Sequence, residues 1–422
     1  MRYVIIGNGV AGIHGAEAIR QMDPEGQITI VSDETFLPYC RPMISMVLEG
    51  SAVPGNLPIR RESFYDDLNI TPVLGRRVTG IDVEGKRVLL PDDCAENSLP
   101  FDKLLIATGA DPRPVKADGL GLKNIFYMRT QAHVRGMIEA LSEVKTALVL
   151  GGGLVGFKAA YSLMKRGIKV VMLIRSDYPL SMQVDETAGM MIQDELIQKG
   201  LDVRIGVEAA IFEGNGRVKT AHLSDGTRIP CGMVVIGKGV VPALSFVPRK
   251  KIQVDLGIMV NEHMETSVSG IYAAGDAAEF IDIARQNRWV NAIWPEAVAQ
   301  GRIAGMNMAG RPVAYEGSLS RNVIRIFDMD IMTGGVVNPP DNEGYDVVAA
   351  KTPRTYRKLV FRDDKLVGMI MVNQVEQGGM MLSLIRSRMP VMVSKEKLLD
   401  PGLNYRRMMR MAGRMPSPQH SR

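Results

Sequence analysis

Short unbroken apolar runs recur along the chain, and several of them end at a glycine. Tyr3 to Ile6 runs into Gly7, Ala147 to Leu150 into Gly151, Val234 to Ile236 into Gly237, and Ile271 to Ala274 into Gly275. Runs of this length without polar alternation predict strands buried on both faces, as in a parallel sheet covered by helices. Behind the first two, the pattern changes to a helical period. Residues 10 to 21 predict a helix closed by Asp23-Pro24-Glu25-Gly26, followed by a second strand at Gln27 to Val31. The stretch from Thr146 to Ile174 repeats the arrangement, so the chain contains two βαβ units.

Between and beyond these units the pattern alternates. A segment rich in Pro and Arg (36 to 63) reads as irregular, and residues 72 to 90 predict a β-meander. Phe101 to Ala107 returns as a strand ending in Ala107-Thr108-Gly109. Alternating strands follow the second βαβ unit near 203 to 224. Beyond about 315, strands at Val323 to Ile326, Lys358 to Phe361 and Leu366 to Met371 precede a helix near 377 to 387, a third α/β unit. The last dozen residues read as a tail.

The turns of the two βαβ units carry the same fingerprint, Gly7-x-Gly9-x-x-Gly12 and Gly151-x-Gly153-x-x-Gly156. The first glycine makes the tight strand-to-helix turn, and the second lets backbone approach a pyrophosphate. The third lets helix and strand pack closely, with phosphate on the helix N-terminus. One such match is weak. Two, each in strand-turn-helix context, predict two bound dinucleotides, and a reason to bind two is to pass a hydride between them.

Composition narrows the chemistry further. A chain of 422 residues that is 46% hydrophobic can form two or three domains with cores of their own. No apolar stretch approaches the roughly 20 residues needed to span a bilayer, and the first strand starts at Tyr3, which leads us to expect a cytoplasmic protein. The net charge of +5 is supplied by Arg406, Arg407, Arg410, Arg414 and Arg422 in a C-terminal stretch without Asp or Glu. The rest is therefore neutral, and nothing in it suggests nucleic acid. Cys40, Cys94 and Cys231 lie far apart, so no local dithiol, zinc or iron–sulfur motif can be read, and redox chemistry must run on an organic cofactor.

In this order, Gly7-x-Gly9-x-x-Gly12, Pro38-Tyr39-x-Arg41-Pro42, Ala107-Thr108-Gly109, Gly151-x-Gly153-x-x-Gly156 and Ala274-Gly275-Asp276 resemble the FAD-dependent pyridine nucleotide oxidoreductases. Within them the nearest likeness is to the branch of rubredoxin reductases, ferredoxin reductases and nitrite reductase flavin domains that also includes apoptosis-inducing factor. It extends over roughly residues 1 to 390. The resemblance implies an α/β fold of two Rossmann-like, three-layer ββα domains. An FAD domain (1–113 and 241–314) would carry an inserted NAD(P) domain (114–240). A C-terminal α/β interface domain (315–400) and a basic tail (401–422) would follow.

The same likeness implies site residues. Asp33 would accept hydrogen bonds from the adenosine ribose of FAD, with Glu34 as the alternative if the register slips by one. Arg41 would lie by the phosphates or the ribityl chain, Asp276 would bond the ribityl chain, and Thr108 and Gly109 would bring backbone close to the cofactor. A helix starting near Trp294 and Pro295 would aim its positive end at the flavin pyrimidine, the alternative being that Trp294 is core. For the second cofactor no acid stands at Ile174, where an NADH-specific member would hold the 2'-hydroxyl. Arg175 could instead meet the 2'-phosphate of NADPH, or be a solvated strand-end charge. The glutathione reductases that use NADPH have a second arginine where this chain has Ser181.

Two positions depart from the branch. Its Ser-Lys after the Arg-Pro motif is Ser45-Met46 here, and the glutamate paired with that lysine is replaced by Lys158. Lys158 could alone supply the cation beside flavin N5, or it could point to solvent. Cys40 lies near the position of the single redox cysteine of NADH oxidases, NADH peroxidases and CoA-disulfide reductases, in a different local sequence. It is either that thiol or a small buried hydrophobe.

The activity implied is a ping-pong relay. NAD(P)H gives hydride to FAD and departs, and electrons pass on to rubredoxin, ferredoxin or an iron–sulfur partner subunit. Two other readings stand beside it: a single-cysteine NAD(P)H oxidase, peroxidase or disulfide reductase using Cys40, and a flavoprotein subunit or redox-sensing binder in a larger complex. The partners implied are NADPH or NADH and a small redox protein, with a homodimer as a further option. Nucleic acid, metal and a membrane span are not expected.

Overall fold

The computed structural model describes residues 1–91, 97–340, 344–404, 406 and 407. Its first sheet is parallel, in the order Ile271–Ala273, Lys103–Ile106, Arg2–Ile6, Gln27–Ser32, Ile70–Leu74. Arg2–Ile6 runs through the centre, with Ile5 opposite Ile30 on one side and Leu105 on the other. Both of its faces are covered, which is why the run does not alternate.

One expectation needs correction. Ile70–Leu74 does not open a meander; it pairs in parallel with Gln27–Ser32 as the edge of this sheet. Thr71 and Pro72 are exposed there, and an edge strand tolerates a proline because no further partner needs its N–H. The meander itself is Gly80–Asp82, Arg87–Leu89 and Ser98–Pro100.

The second sheet repeats the plan in the order Asp202–Ile205, Lys169–Ile174, Thr146–Leu150, Met233–Ile236, Ile125–Tyr127, all parallel. Here too the strand near residue 203 belongs to the parallel sheet. A separate meander is formed by Ala209–Glu213, Thr220–Leu223 and Arg228–Pro230. All five parallel strands fall in sequence between Lys103–Ile106 and Ile271–Ala273, which are neighbours in the first sheet. The second unit is thus inserted into the first. The outgoing and returning connections pair antiparallel as Ala110–Pro112 and Val240–Pro242, with Asp111 opposite Val241.

The third unit is a five-stranded antiparallel sheet, Arg321–Ile326, Met329–Gly335, Lys365–Val372, Tyr356–Arg362 and Tyr345–Lys351, with the helix Gly378–Ser387 packed on it. Ile326, Ile331, Tyr356 and Ile370 share a core with Phe157, Leu180 and Val184 of the inserted unit, so the third unit closes over the second.

The helix Val10–Met22 starts directly behind the first fingerprint, and Leu154–Lys165 behind the second. A Cβ on Gly275 would touch the Cβ atoms of Ala11 and Ala297. The turn after Ile271–Ala273 therefore lies between the starts of Val10–Met22 and Trp294–Met308, and both helix N-termini open at one edge of the sheet. No helix among the described residues is long and apolar enough to cross a membrane. Cys94 and the tail residues Arg410, Arg414 and Arg422 lie outside the described residues.

Candidate functional site

At the C-terminal edges of the two parallel sheets, where α/β folds place their ligands, lies a cavity of about 1020 Å3. Gly7, Gly9, Asp33, Glu34, Arg41, Thr108, Gly109, Asp276 and Trp294 line it. From the inserted unit come Leu154, Val155, Phe157 and Lys158, and from the third unit the strand residues Asn322 to Ile326 with Phe327. The first fingerprint opens directly into this space. The second borders it: on that helix the lining begins at Leu154, so Gly151, Gly153 and Gly156 sit outside the rim, as does Arg175.

Both fingerprints have the geometry their spacing predicts. Gly7 has a φ of 118°, a left-handed conformation that favours glycine, and a Cβ on Gly12 would collide with the Gly7 carbonyl. Gly9 and Gly153 are different. Each has extended backbone, and a Cβ on either would meet nothing within 4 Å. No side chain caps the helix behind either glycine, so the first-turn N–H groups are left to a ligand. Asn8, beside Gly9, has a buried Oδ1 without a partner. A pyrophosphate-bridged dinucleotide fits the open first-turn N–H donors and the bare glycine faces.

The two acids after Gln27–Ser32 differ in what they are free to do. Glu34 is engaged: Arg41 Nη2 donates to Oε1 at 2.6 Å and the Tyr39 hydroxyl to Oε2 at 2.7 Å. Asp33 is exposed to the cavity. Arg41 lines the cavity, and its guanidinium is shared between Glu34 and the Arg129 carbonyl at 2.7 Å. Thr108 donates to the Ala243 carbonyl at 3.0 Å, fixing the turn that exposes Gly109. Trp294 is half-buried against the cavity and not in a core, while Pro295 beside it is exposed and outside the lining.

Lys158 stands on the helix Leu154–Lys165 and donates to the Pro42 carbonyl at 3.3 Å. Surrounding protein pulls its pKa down, and the Cys40 thiol opposes that shift. Cys40 itself is half-buried, absent from the lining, and has its thiol pKa raised by burial. An activated redox cysteine shows the opposite shift. Arg175 is 81% exposed and lies 3.9 Å from Glu208.

Three features of the site escaped the sequence reading. Arg129 donates to Asp276 at 3.2 Å and to the Ala110 carbonyl at 2.9 Å, joining the inserted unit to the turn at Gly275. Its one linear signal is its place just before Thr130, the N-cap of the helix Gln131–Ala140. Glu296, only 3% exposed in the first turn of Trp294–Met308, pairs with Arg321 at 2.6 Å and Arg386 at 3.7 Å and accepts from Tyr315. Phe327 packs edge-on against Tyr161 at 5.3 Å, bringing the third unit to the cavity wall. Among the described residues no group of His, Cys, Asp and Glu could hold a metal ion.

Residues 1–301 match the family model for the pyridine nucleotide-disulphide oxidoreductases, and residues 321–389 that for the rubredoxin NAD+ reductase C-terminal domain. In Bacillus subtilis strain 168 the chain is 27% identical to the assimilatory nitrate reductase electron transfer subunit over 402 residues, covering 95% of this chain and 51% of that protein. It is 28% identical to the nitrite reductase [NAD(P)H] of the same organism, covering 94% of this chain and 49% of that one. The chain thus spans about half the length of these two relatives. The fold is similar to that of the reductase in a crystal structure of the covalent putidaredoxin reductase–putidaredoxin complex, with a TM-score of 0.88, 26% identity, and coverage of 98% and 99% of the two chains.

Proposed function

This chain belongs to the pyridine nucleotide-disulphide oxidoreductase family, FAD-dependent enzymes that use NAD(P)H, and from that premise we propose that it takes hydride from NADH or NADPH and delivers electrons to a small redox protein or an iron–sulfur partner subunit. The observation that carries this reading is the single cavity into which the uncapped first fingerprint helix opens and which the second fingerprint helix borders. Flavin in that cavity supplies hydride acceptance and one-electron release.

The chain's own residues bind and orient. The N–H groups behind Gly9 receive the FAD pyrophosphate, and Asp33 accepts the ribose hydroxyls, a role for which it is better placed than the engaged Glu34. Arg41 acts through Glu34 and Arg129 to fix the cavity wall, and Arg129 in turn orients Asp276 toward the ribityl chain. Thr108 holds Gly109 against the cofactor. Trp294 and the helix behind it present a positive end, while Arg321 and Arg386 neutralise the buried Glu296 that would weaken it. Behind Gly153 the second set of N–H groups receives NAD(P)H, and Lys158 offers its ammonium at the wall between the two sites.

In this reading the FAD domain comprises 1–113 and 241–314, the NAD(P) domain 114–240 and the interface domain 315–400, with 401–422 as a tail. A cytoplasmic location accords with a donor that cells keep inside. A second reading, a flavoprotein subunit within a larger assembly, is favoured by the coverage of about half of two relatives, one of them named an electron transfer subunit. The raised Cys40 thiol does not favour the disulfide or peroxide chemistry.

The test is a steady-state assay of the purified holoprotein with NADH or NADPH against ferricyanide, a rubredoxin and a plant-type ferredoxin. The reading expects ferricyanide and at least one of the proteins to be reduced. Flavin-loaded protein that reduces none of them with either nucleotide defeats it.

A further inference from the structure

The strand Lys169–Ile174 ends where a dinucleotide fold ordinarily places the acid that reads the adenosine ribose. Ile174 cannot do that work: it is 1% exposed, and its side chain packs against Gly152, 2.8 Å from where a Cβ there would stand. The neighbouring strand supplies what this one lacks. Ile205 pairs with Ile174, and the Gly206 N–H donates to the Ile174 carbonyl at 2.7 Å, which ties the chain beyond the second strand to the end of the first. Two residues further on stands Glu208. Its N–H donates to Ser224 Oγ at 3.1 Å and its carbonyl accepts from the Ser224 N–H at 2.8 Å, so the backbone is held on both sides.

The Glu208 carboxylate lies between two cations. One oxygen is 3.9 Å from Arg175 Nε, and the other accepts from Lys238. Lys238 belongs to the loop that closes on the second fingerprint, since a Cβ on Gly151 would touch the Gly237 carbonyl and the Lys238 Cα. The acid is therefore placed across the edge of the sheet, between the end of Lys169–Ile174 and the fingerprint turn. The hydrogen bond from Lys238 holds its carboxyl below the usual carboxylate range, which keeps it ionised.

Resting on the proposed binding of NAD(P)H at the second fingerprint, we infer that Glu208 determines nucleotide specificity: borrowed from the adjacent strand, it accepts the adenosine ribose hydroxyls, neutralises Arg175, and selects NADH against NADPH. A 2'-phosphate entering this site brings its negative charge against a fixed carboxylate, and like charges in contact oppose binding. Lys238 is held by the other carboxylate oxygen and Arg175 is open to water, so the remaining oxygen meets a phosphate as acceptor against acceptor, whereas a ribose hydroxyl can donate to it. Arg175 alone points toward NADPH; Arg175 with Glu208 3.9 Å away points toward NADH.

The test uses ligands that carry no nicotinamide, ADP-ribose and 2'-phospho-ADP-ribose, titrated calorimetrically into the flavin-loaded protein. The parent should bind ADP-ribose more tightly. Glu208→Gln should shift the ratio of the two dissociation constants toward the 2'-phosphate by about ten-fold or more, the scale of losing one close like-charge contact. Arg175→Ala in that background should reverse the shift. An unchanged ratio in Glu208→Gln, or a parent that prefers the 2'-phosphate, overturns the inference while leaving nucleotide binding itself intact. A parent that binds neither ligand overturns the site at the second fingerprint, and this inference with it.

Discussion

Lys158, on the second fingerprint helix, donates to the carbonyl of Pro42, in the loop after the first βαβ unit, at 3.3 Å. One ammonium thus joins the two dinucleotide units at the wall of the cavity they share. Replacing it by methionine keeps the length and removes the charge. In Lys158→Met, stopped-flow reduction by NAD(P)H should slow by roughly ten-fold to a hundred-fold, the scale of one or two charge-assisted contacts. FAD content should stay at the parent level. Reduction at the parent rate would show that Lys158, exposed in the structure, takes no part in hydride transfer and would leave the positive field to the helix at Trp294.

The two open glycines separate the two cofactors. Both have extended backbone that any residue adopts, and neither Cβ would touch protein. Gly9→Val should therefore fold, yet emerge from purification without FAD. Gly153→Val should retain FAD and lose reduction by NAD(P)H, while dithionite still reduces it. Full FAD occupancy in Gly9→Val would refute the assignment of the first fingerprint.

Burial raises the Cys40 thiol above its ordinary pKa. Only the thiolate is nucleophilic, so alkylation by iodoacetamide should be slow at neutral pH and accelerate as the pH rises. Cys40→Ser should keep near-parental ferricyanide reduction. A loss of two orders of magnitude with FAD still bound would move the account to the thiol-assisted chemistry.

Glu296 is almost fully buried, and Arg321 is its nearest cation. Removing Arg321 leaves this buried carboxylate only the more distant Arg386 and the Tyr315 hydroxyl, a loss of up to about 3 kcal/mol. Arg321→Met should lower the urea midpoint accordingly, and Glu296→Gln in the same chain should restore part of it. A midpoint that does not move in Arg321→Met would show that Arg386 at 3.7 Å suffices.

Sequence was most informative where function is written in backbone geometry. Gly7 and Gly12 announce themselves because only glycine satisfies the turn at one and the close approach at the other, and the same holds for Gly151 and Gly156. It was least informative where a role depends on distant partners. Arg129 matters through Asp276, far along the chain, and Glu296 through Arg321 and Arg386 from another unit. The meander expected from residue 72 overlaps Ile70–Leu74 because the exposed Thr71 and Pro72 break the unbroken apolar run that marks the other parallel strands. Asp33 and the alternative Glu34 stand side by side in sequence, and only the fold shows that Arg41 and Tyr39 engage Glu34 and leave Asp33 open.

The central claim is that one cavity brings FAD and NAD(P)H together for hydride transfer. Anaerobic titration of the purified, flavin-loaded chain with NADH and separately with NADPH, followed in the visible flavin band, tests it most directly. The account predicts a yellow protein with one FAD per chain, fully bleached by one equivalent of the preferred nucleotide. A protein that binds no FAD, or a bound flavin that neither nucleotide bleaches while dithionite does, would contradict it.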